Sequence, residues 1–314
     1  MTKTVALLSA VARAHIEPLL PDWVEPRFYH TTQELFDLAP AAEIGWFDTY
    51  KKPDMAEAVR LATRLKWLNS IYAGVDGMPL QLMAERGVMF TNGAGINALT
   101  IAEYAVMAML IMAKGYRDVM QAAQERTWLR DSPGKMELAG SKALILGRGA
   151  IGELIGERLR PFGVEVVSVR RTPSPDRLTP DKWRARLGGF DWVIPAVPAT
   201  PETEHMIGAA EFAAMKPTAC ILNFARGTVI DQDALVSALQ SGTIGQAWLD
   251  VTTPEPLPAD HILWNLPNAH ISMHLSGRAQ DKMFARAVAR FVENLARFKA
   301  GQELTPLVNL ALGY

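Results

Sequence analysis

Cysteine is nearly absent from this sequence. Cys220 is the only one in 314 residues, which excludes an intramolecular disulfide and fits a reducing compartment. Neither sign of charge is in surplus: 32 Lys and Arg face 33 Asp and Glu, a formal net charge of −1. With no long basic run, nucleic-acid binding is not expected. No stretch is long and apolar enough for an obvious membrane span. The apolar run Val5–Val11 is short, lacks a cleavage site, and reads in its first part as a strand rather than a signal peptide. Internal repeats and low-complexity tracts are missing too. A soluble, cytoplasmic protein is therefore expected. Its 49% hydrophobic content suffices for substantial cores, and its length suggests about two domains.

The most informative stretch is Lys142–Gly152, KALILGRGAIG. Ala143–Leu146 is a short unbroken apolar run, as in a strand buried on both faces of a parallel sheet. Gly147, Gly149 and Gly152 follow with G-x-G-x-x-G spacing, then a helix-like segment, Glu153–Pro161, and a second apolar strand, Val164–Val169. Strand, glycine turn, helix and strand form the context a dinucleotide fingerprint requires. The first glycine permits the turn, the second lets backbone approach a pyrophosphate, and the third lets helix and strand pack closely. The N-terminus of the following helix offers free N–H groups to the phosphates, and Ala150 and Ile151, between the glycines, are expected beside the cofactor. The same glycines could instead make a turn with no ligand. At the end of the second strand stand Arg170 and Arg171. Two guanidiniums can fork onto a 2′-phosphate, so NADP(H) is expected ahead of NAD(H). Solvated arginines at a strand end are the plainer alternative.

The first 96 residues read as a small α/β unit, with strands at Thr4–Leu8, Glu43–Phe47, Trp67–Tyr72 and Val88–Thr91. Ala73-Gly74-Val75 follows the third of these; it is either a turn or a loop exposing backbone N–H groups to an anion. Thr100–Glu103 reads as a capping box opening a helix to Lys114 that is apolar on nearly every side and must be buried. A domain connection contributing to a homodimer interface is expected there. Gln121–Lys135 reads as a polar loop or arm. Four polar residues, Arg226, Asp250, Glu255 and His274, sit at or just beyond the C-terminal ends of apolar strands, the edge at which open parallel sheets bind ligands. Each has a bland reading alone: surface charge, turn former, solvated loop residue, satisfied buried histidine. Together with the fingerprint they suggest a redox site. Hydride addition to a ketone creates an alkoxide, and a histidine can supply its proton near neutral pH. Glu255 is the candidate to orient that histidine, and Arg226 to hold a carboxylate and polarise a carbonyl.

In the order WLNSIYAGVD, TIAE, ILGRGAIG, NFARGTVID, WLDVTTPEPLP and ISMHLSG, the sequence resembles the D-isomer-specific 2-hydroxyacid dehydrogenases over nearly its whole length. The resemblance implies an α/β fold of two Rossmann-like domains with parallel sheets, one flavodoxin-like and one dinucleotide-binding, with the active site in the cleft between them. The substrate domain would be discontinuous, 1–97 plus 285–314, and the dinucleotide domain 98–284. Arg226 would bind the substrate carboxylate and carbonyl, Glu255 would orient His274, and His274 would be the acid/base, also facing the cofactor. The backbone of Ala73, Gly74 and Val75 would hold the substrate carboxylate. Asp250 would contact the nicotinamide carboxamide, and Thr100, Pro198, Thr203, Ala225 and Gly277 would line the cofactor. No metal is implied. The sequence departs from the family pattern at Met273, where proline commonly precedes the histidine, and at Thr252, commonly aromatic. Arg170 replaces the Asp of NAD-dependent members, as in the NADPH-preferring glyoxylate/hydroxypyruvate reductase branch. Trp46 and Trp264 would either line the pocket or simply pack. Two other readings stay open: a nucleotide-sensing interaction protein like the corepressors that resemble this family, and a family dehydrogenase acting on a donor such as formate or phosphite.

Overall fold

The computed structural model describes residues 3–49, 51–170 and 177–313. Contacts divide the chain into two units, Met1–Asn97 with Gln280–Tyr314, and Ala98–Ala279. In the first unit, strands β1 (Thr4–Ser9), β2 (Val24–Tyr29), β3 (Ile44–Trp46), β4 (Trp67–Asn69) and β5 (Met89–Thr91) form a parallel sheet in the order β2-β1-β3-β4-β5. Alternation along β1 builds two cores. Leu7 packs with Leu68 and Phe90 on one face, while Ala6 and Leu8 pack with Ile44, Trp46 and Trp67 on the other. Helices α1 (Arg13–Ile16), α2 (Thr32–Leu38), α3 (Lys52–Leu61) and α4 (Leu80–Glu85) connect the strands. No strand is expected from sequence at β2. Its Glu25, Pro26 and Arg27 break the apolar pattern, and the structure places it at the sheet edge, where a proline without an N–H is tolerated.

The second unit opens with α5 (Ala98–Lys114) and α6 (Tyr116–Gln124), joined at Gly115, whose φ of 59° suits glycine. α5 starts two residues before Thr100, so Thr100 does not cap it as expected. Burial of α5 is also one-sided: Ala102, Ala105, Ala108, Met109 and Met112 are buried, whereas Met107 is exposed. α6 falls partly in the stretch expected as a loop. Its polar residues belong to the solvent face of a helix. Strands β6 (Lys142–Leu146), β7 (Glu165–Val169), β8 (Arg177–Leu178), β9 (Trp192–Pro195), β10 (Cys220–Asn223), β11 (Gln246–Leu249) and β12 (Ala269–Ile271) form a parallel sheet ordered β12-β11-β10-β9-β6-β7-β8. The order reverses between β6 and β9, the switch point at which a doubly wound sheet takes its ligand. Alternation again splits the core: Leu144 and Leu146 face one side, Ala143 and Ile145 the other. Helices α7 (Ala150–Leu159), α8 (Ala209–Ala214) and α9 (Gln232–Gln240) cover the sheet. The chain then returns to the first unit through α10 (Met283–Lys299), whose Val288, Phe291 and Leu295 are buried against Trp46 and Trp67. Among the described residues no single helix is long and apolar enough to cross a membrane.

Candidate active site

The glycine loop follows β6 at the switch point. Gly147 has a φ of 102°, and a Cβ there would lie 2.6 Å from the Ala196 carbonyl oxygen at the end of β9. A Cβ on Gly152 would lie 2.3 Å from the Gly147 carbonyl, so both glycines are required by close packing of the turn. Gly149 differs: a Cβ on it would meet nothing within 4 Å. The protein does not need that glycine for its own packing, and the open space beside it lies at the N-terminus of α7. Ala150 and Ile151 begin that helix, three residues earlier than the sequence pattern suggests. Free N–H groups, a partial positive charge and bare backbone fit a pyrophosphate. Beyond β9, Pro198 is exposed, and its carbonyl accepts the Thr203 hydroxyl at 2.7 Å, closing the neighbouring loop. Arg170 is exposed just after β7. Arg171 lies outside the described residues.

Beyond β10, β11 and β12, three loops bring the expected catalytic residues together. The Asn223 side chain shapes the first: its Oδ1 accepts the Ala225 N–H at 3.0 Å and its Nδ2 donates to the Arg226 carbonyl at 2.9 Å. Arg226 is half-buried, and its guanidinium donates to the Ala225 carbonyl. Gly227 follows because a Cβ would lie 2.1 Å from the Thr252 carbonyl oxygen, so the Arg226 turn packs directly on the loop beyond β11. In that loop the Thr252 N–H donates to Glu255 Oε1 at 3.2 Å, and Glu255 Oε2 pairs with His274 Nδ1 at 2.8 Å. Partial burial pushes the Glu255 carboxyl upward. The His274 hydrogen bond and charge, the Thr252 N–H and the Arg226 charge outweigh that and hold it below its ordinary range. His274 Nε2 has no hydrogen-bond partner among the described residues.

Asp250 does work that its expected role did not include. It is 3% exposed. Its Oδ1 accepts the Ser272 hydroxyl at 2.7 Å and the Leu275 and Ser276 N–H groups at 3.2 Å; its Oδ2 accepts the Ser276 hydroxyl. Its carbonyl accepts the His274 N–H. These bonds hold Met273 and His274 in the left-handed region, at φ 53° and 55°. Each such non-glycine residue costs about 1–3 kcal/mol and persists only when its surroundings over-determine it. The Asp250 carboxylate thus fixes the histidine loop. The Thr100 hydroxyl donates to the Ser276 and Ala279 carbonyls of the segment that follows, while Ala225 is buried and Gly277 half-buried. The sequence alone does not mark Asn223, Ser272 and Ser276 as site residues. Asn223 had a signal, an Asx pattern two residues before Ala225.

In the first unit, the Ala73–Val75 loop follows β4. Gly93 N–H donates to the Tyr72 carbonyl and Asn92 Nδ2 to the Ala73 carbonyl, at 2.8 and 2.6 Å. The N–H groups of Ala73, Gly74 and Val75 have no acceptor among the described residues. Trp46 is 1% exposed and packs on Phe291, so it is a core residue. Trp264 donates its indole N–H to the Pro258 carbonyl.

The profile of the D-isomer specific 2-hydroxyacid dehydrogenase NAD binding domain matches residues 106–276, the span holding the glycine loop, Arg226, Glu255 and His274. The chain belongs to that family. This dehydrogenase is therefore an oxidoreductase, built on two parallel-sheet α/β domains. It is 31% identical to a glyoxylate reductase of Korarchaeum cryptofilum, over 82% of this chain and 80% of that one. It is 32% identical to the glyoxylate reductase/hydroxypyruvate reductase of Homo sapiens, over 67% of each. A family member of known structure from Aeromonas salmonicida superposes with a TM-score of 0.88, at 29% identity over 99% of this chain and 100% of that one.

Proposed function

We propose that this dehydrogenase reduces a small 2-oxo acid of the glyoxylate or hydroxypyruvate kind to the (R)-2-hydroxy acid, with NADPH preferred. The observation that carries the reading is the Glu255–His274 pair at 2.8 Å, with Arg226 near enough for its charge to act on the same carboxylate. The reaction is 2-oxo acid + NADPH + H⁺ → (R)-2-hydroxy acid + NADP⁺. The glycine loop would hold the dinucleotide, Arg170 and Arg171 would answer its 2′-phosphate, and the bound cofactor would supply the hydride. Arg226 and the N–H groups of Ala73, Gly74 and Val75 bind the substrate carboxylate, and Arg226 also polarises the carbonyl. Glu255 fixes Nδ1 of His274, directing Nε2–H to the carbonyl oxygen, where it delivers a proton as the alkoxide forms. Relatives named as glyoxylate and hydroxypyruvate reductases support this substrate class. The test is initial-rate reduction of a panel of 2-oxo acids with NADPH and NADH in parallel. The expected result is fastest turnover of a short 2-oxo acid with NADPH. Equal rates with NADH overturn the use of the two arginines, and no turnover with either cofactor overturns the enzyme reading.

The second unit also supports a homodimer. Met107, Tyr116, Met120, Trp128 and Leu129 are exposed on α5, α6 and the segment after them, Trp128 at 91%, and apolar surface of that kind marks association sites. Light scattering on the purified chain should return twice the monomer mass.

A further inference from the structure

We propose that Asp48 is the positioning residue for the substrate-carboxylate loop, setting the Ala73–Val75 backbone through a hydrogen-bonded relay beneath it; this rests on the role given to that loop above. Asp48 stands two residues beyond β3, at the point where the first sheet's order reverses, which is where an open α/β sheet binds its ligand. Three donors converge on its carboxylate. Oδ1 accepts the Ser70 hydroxyl at 2.6 Å, and Oδ2 accepts both the Ile71 N–H and the Trp46 indole N–H at 2.6 Å. Ser70 Oγ in turn accepts the Tyr72 N–H at 3.1 Å. Backbone from Ile71 to Tyr72 is therefore pinned from below by one carboxylate, directly and through one hydroxyl.

The opposite side of the loop is pinned as well. Gly93 and Asn92 hold the Tyr72 and Ala73 carbonyls, and a Cβ on Gly93 would lie 1.9 Å from the Ile71 carbonyl oxygen. With those bonds made, the next three N–H groups are the ones left for a ligand. Trp46 is packed between the sheet and Phe291, at 5.2 Å between ring centroids, so its indole N–H is a fixed donor, and the Tyr29 hydroxyl fixes the Asp48 carbonyl at 2.9 Å. Burial pushes the Asp48 carboxyl up to about 6 in spite of its three donors. An ionised group kept at such a cost matches a positional task, because an acceptor-only carboxylate can satisfy all three donors at once.

The role is positional rather than electrostatic, and paired variants separate the two. Asp48→Asn keeps an acceptor for Ile71 and Trp46, and its amide can donate to Ser70, whose hydroxyl can rotate; Asp48→Ala removes every bond. D48A is expected to raise KM for the best 2-oxo acid about tenfold or more. Its kcat should change less than about threefold and its NADPH Kd less than about twofold. D48N should return KM to within about threefold of the wild type. Ser70→Ala, which removes only the link to Tyr72, should raise KM by about threefold and reads the relay if D48A does not fold. A folded D48A or S70A with unchanged KM overturns the proposal, as does a D48N whose KM matches that of D48A. A wild type that turns over no 2-oxo acid instead overturns the function on which the proposal rests.

Discussion

Two carboxylates sit beyond strand ends, one in each unit, and their environments push them in opposite directions. Asp48 accepts three short hydrogen bonds from a hydroxyl, a peptide N–H and an indole, yet its carboxyl is raised to about 6. Glu255 makes fewer bonds but lies beside His274 and Arg226, and it is held below its ordinary range. Neutral donors did not offset the burial of Asp48. Charged neighbours more than offset the smaller burial of Glu255. A count of hydrogen bonds therefore says little about which way a carboxyl is shifted, and the charge of its neighbours says more. The first unit spends its acid on fixing backbone, and the second presents its acid to an imidazole partner.

The sharpest way to break this contrast is to remove that partner. His274→Ala should lower kcat by about 10²–10⁴-fold, the usual worth of a positioned general acid, with cofactor affinity retained; near-normal turnover would refute the acid/base role. A second test measures unfolding free energy against pH for the wild type and D48N. The folded Asp48 carboxyl titrates near 6 and an unfolded one near 3.8, so between those values the folded chain holds a proton that unfolding releases. Wild-type stability relative to D48N should therefore fall as pH rises through that window, by about 3 kcal/mol in all. A flat difference would mean that Asp48 is not desolvated. Glu255 must show the opposite sign. Compared with E255Q, its stabilisation should be present above the ordinary carboxylate range and disappear on acidification below it.

A smaller effect is expected at Gln232, the first residue of α9. Its side chain clasps Thr253 on both sides, accepting the N–H at 2.9 Å and donating to the carbonyl at 2.6 Å, two residues from Glu255. Gln232→Ala should loosen Glu255 and lower kcat several-fold, roughly 1 kcal/mol of lost positioning, with little change in cofactor affinity. Smallest of all is the response of Cys220. Burial pushes its thiol up to about 12, so a thiol-specific reagent should leave the folded chain unmodified and react only on unfolding.

Much of this was legible in the sequence because it rests on local rules. The apolar run before Gly147 and the spacing to Gly152 define a strand and a turn without help from the rest of the chain, and Arg226, Glu255 and His274 are conspicuous as polar residues after apolar runs. What was not legible depends on distant partners. Nothing near Asp48 in sequence shows that Ser70 and Ile71 will reach its oxygens. The hold of Asp250 on the histidine loop is hidden in the sequence because its partners Ser272 and Ser276 arrive more than twenty residues later. β2 is hidden in the sequence because an edge strand can carry Glu25, Pro26 and Arg27, and α6 because its polar residues resemble those of a loop.

The solitary cysteine has a practical consequence. A chain whose one native thiol is sealed in β10 is already silent toward maleimide dyes. One cysteine engineered on an exposed position of each unit, α3 and α8 for instance, would accept a donor and an acceptor fluorophore without first stripping the protein of reactive sites. Single-molecule energy transfer could then follow the distance between the two units as cofactor and oxo acid are added.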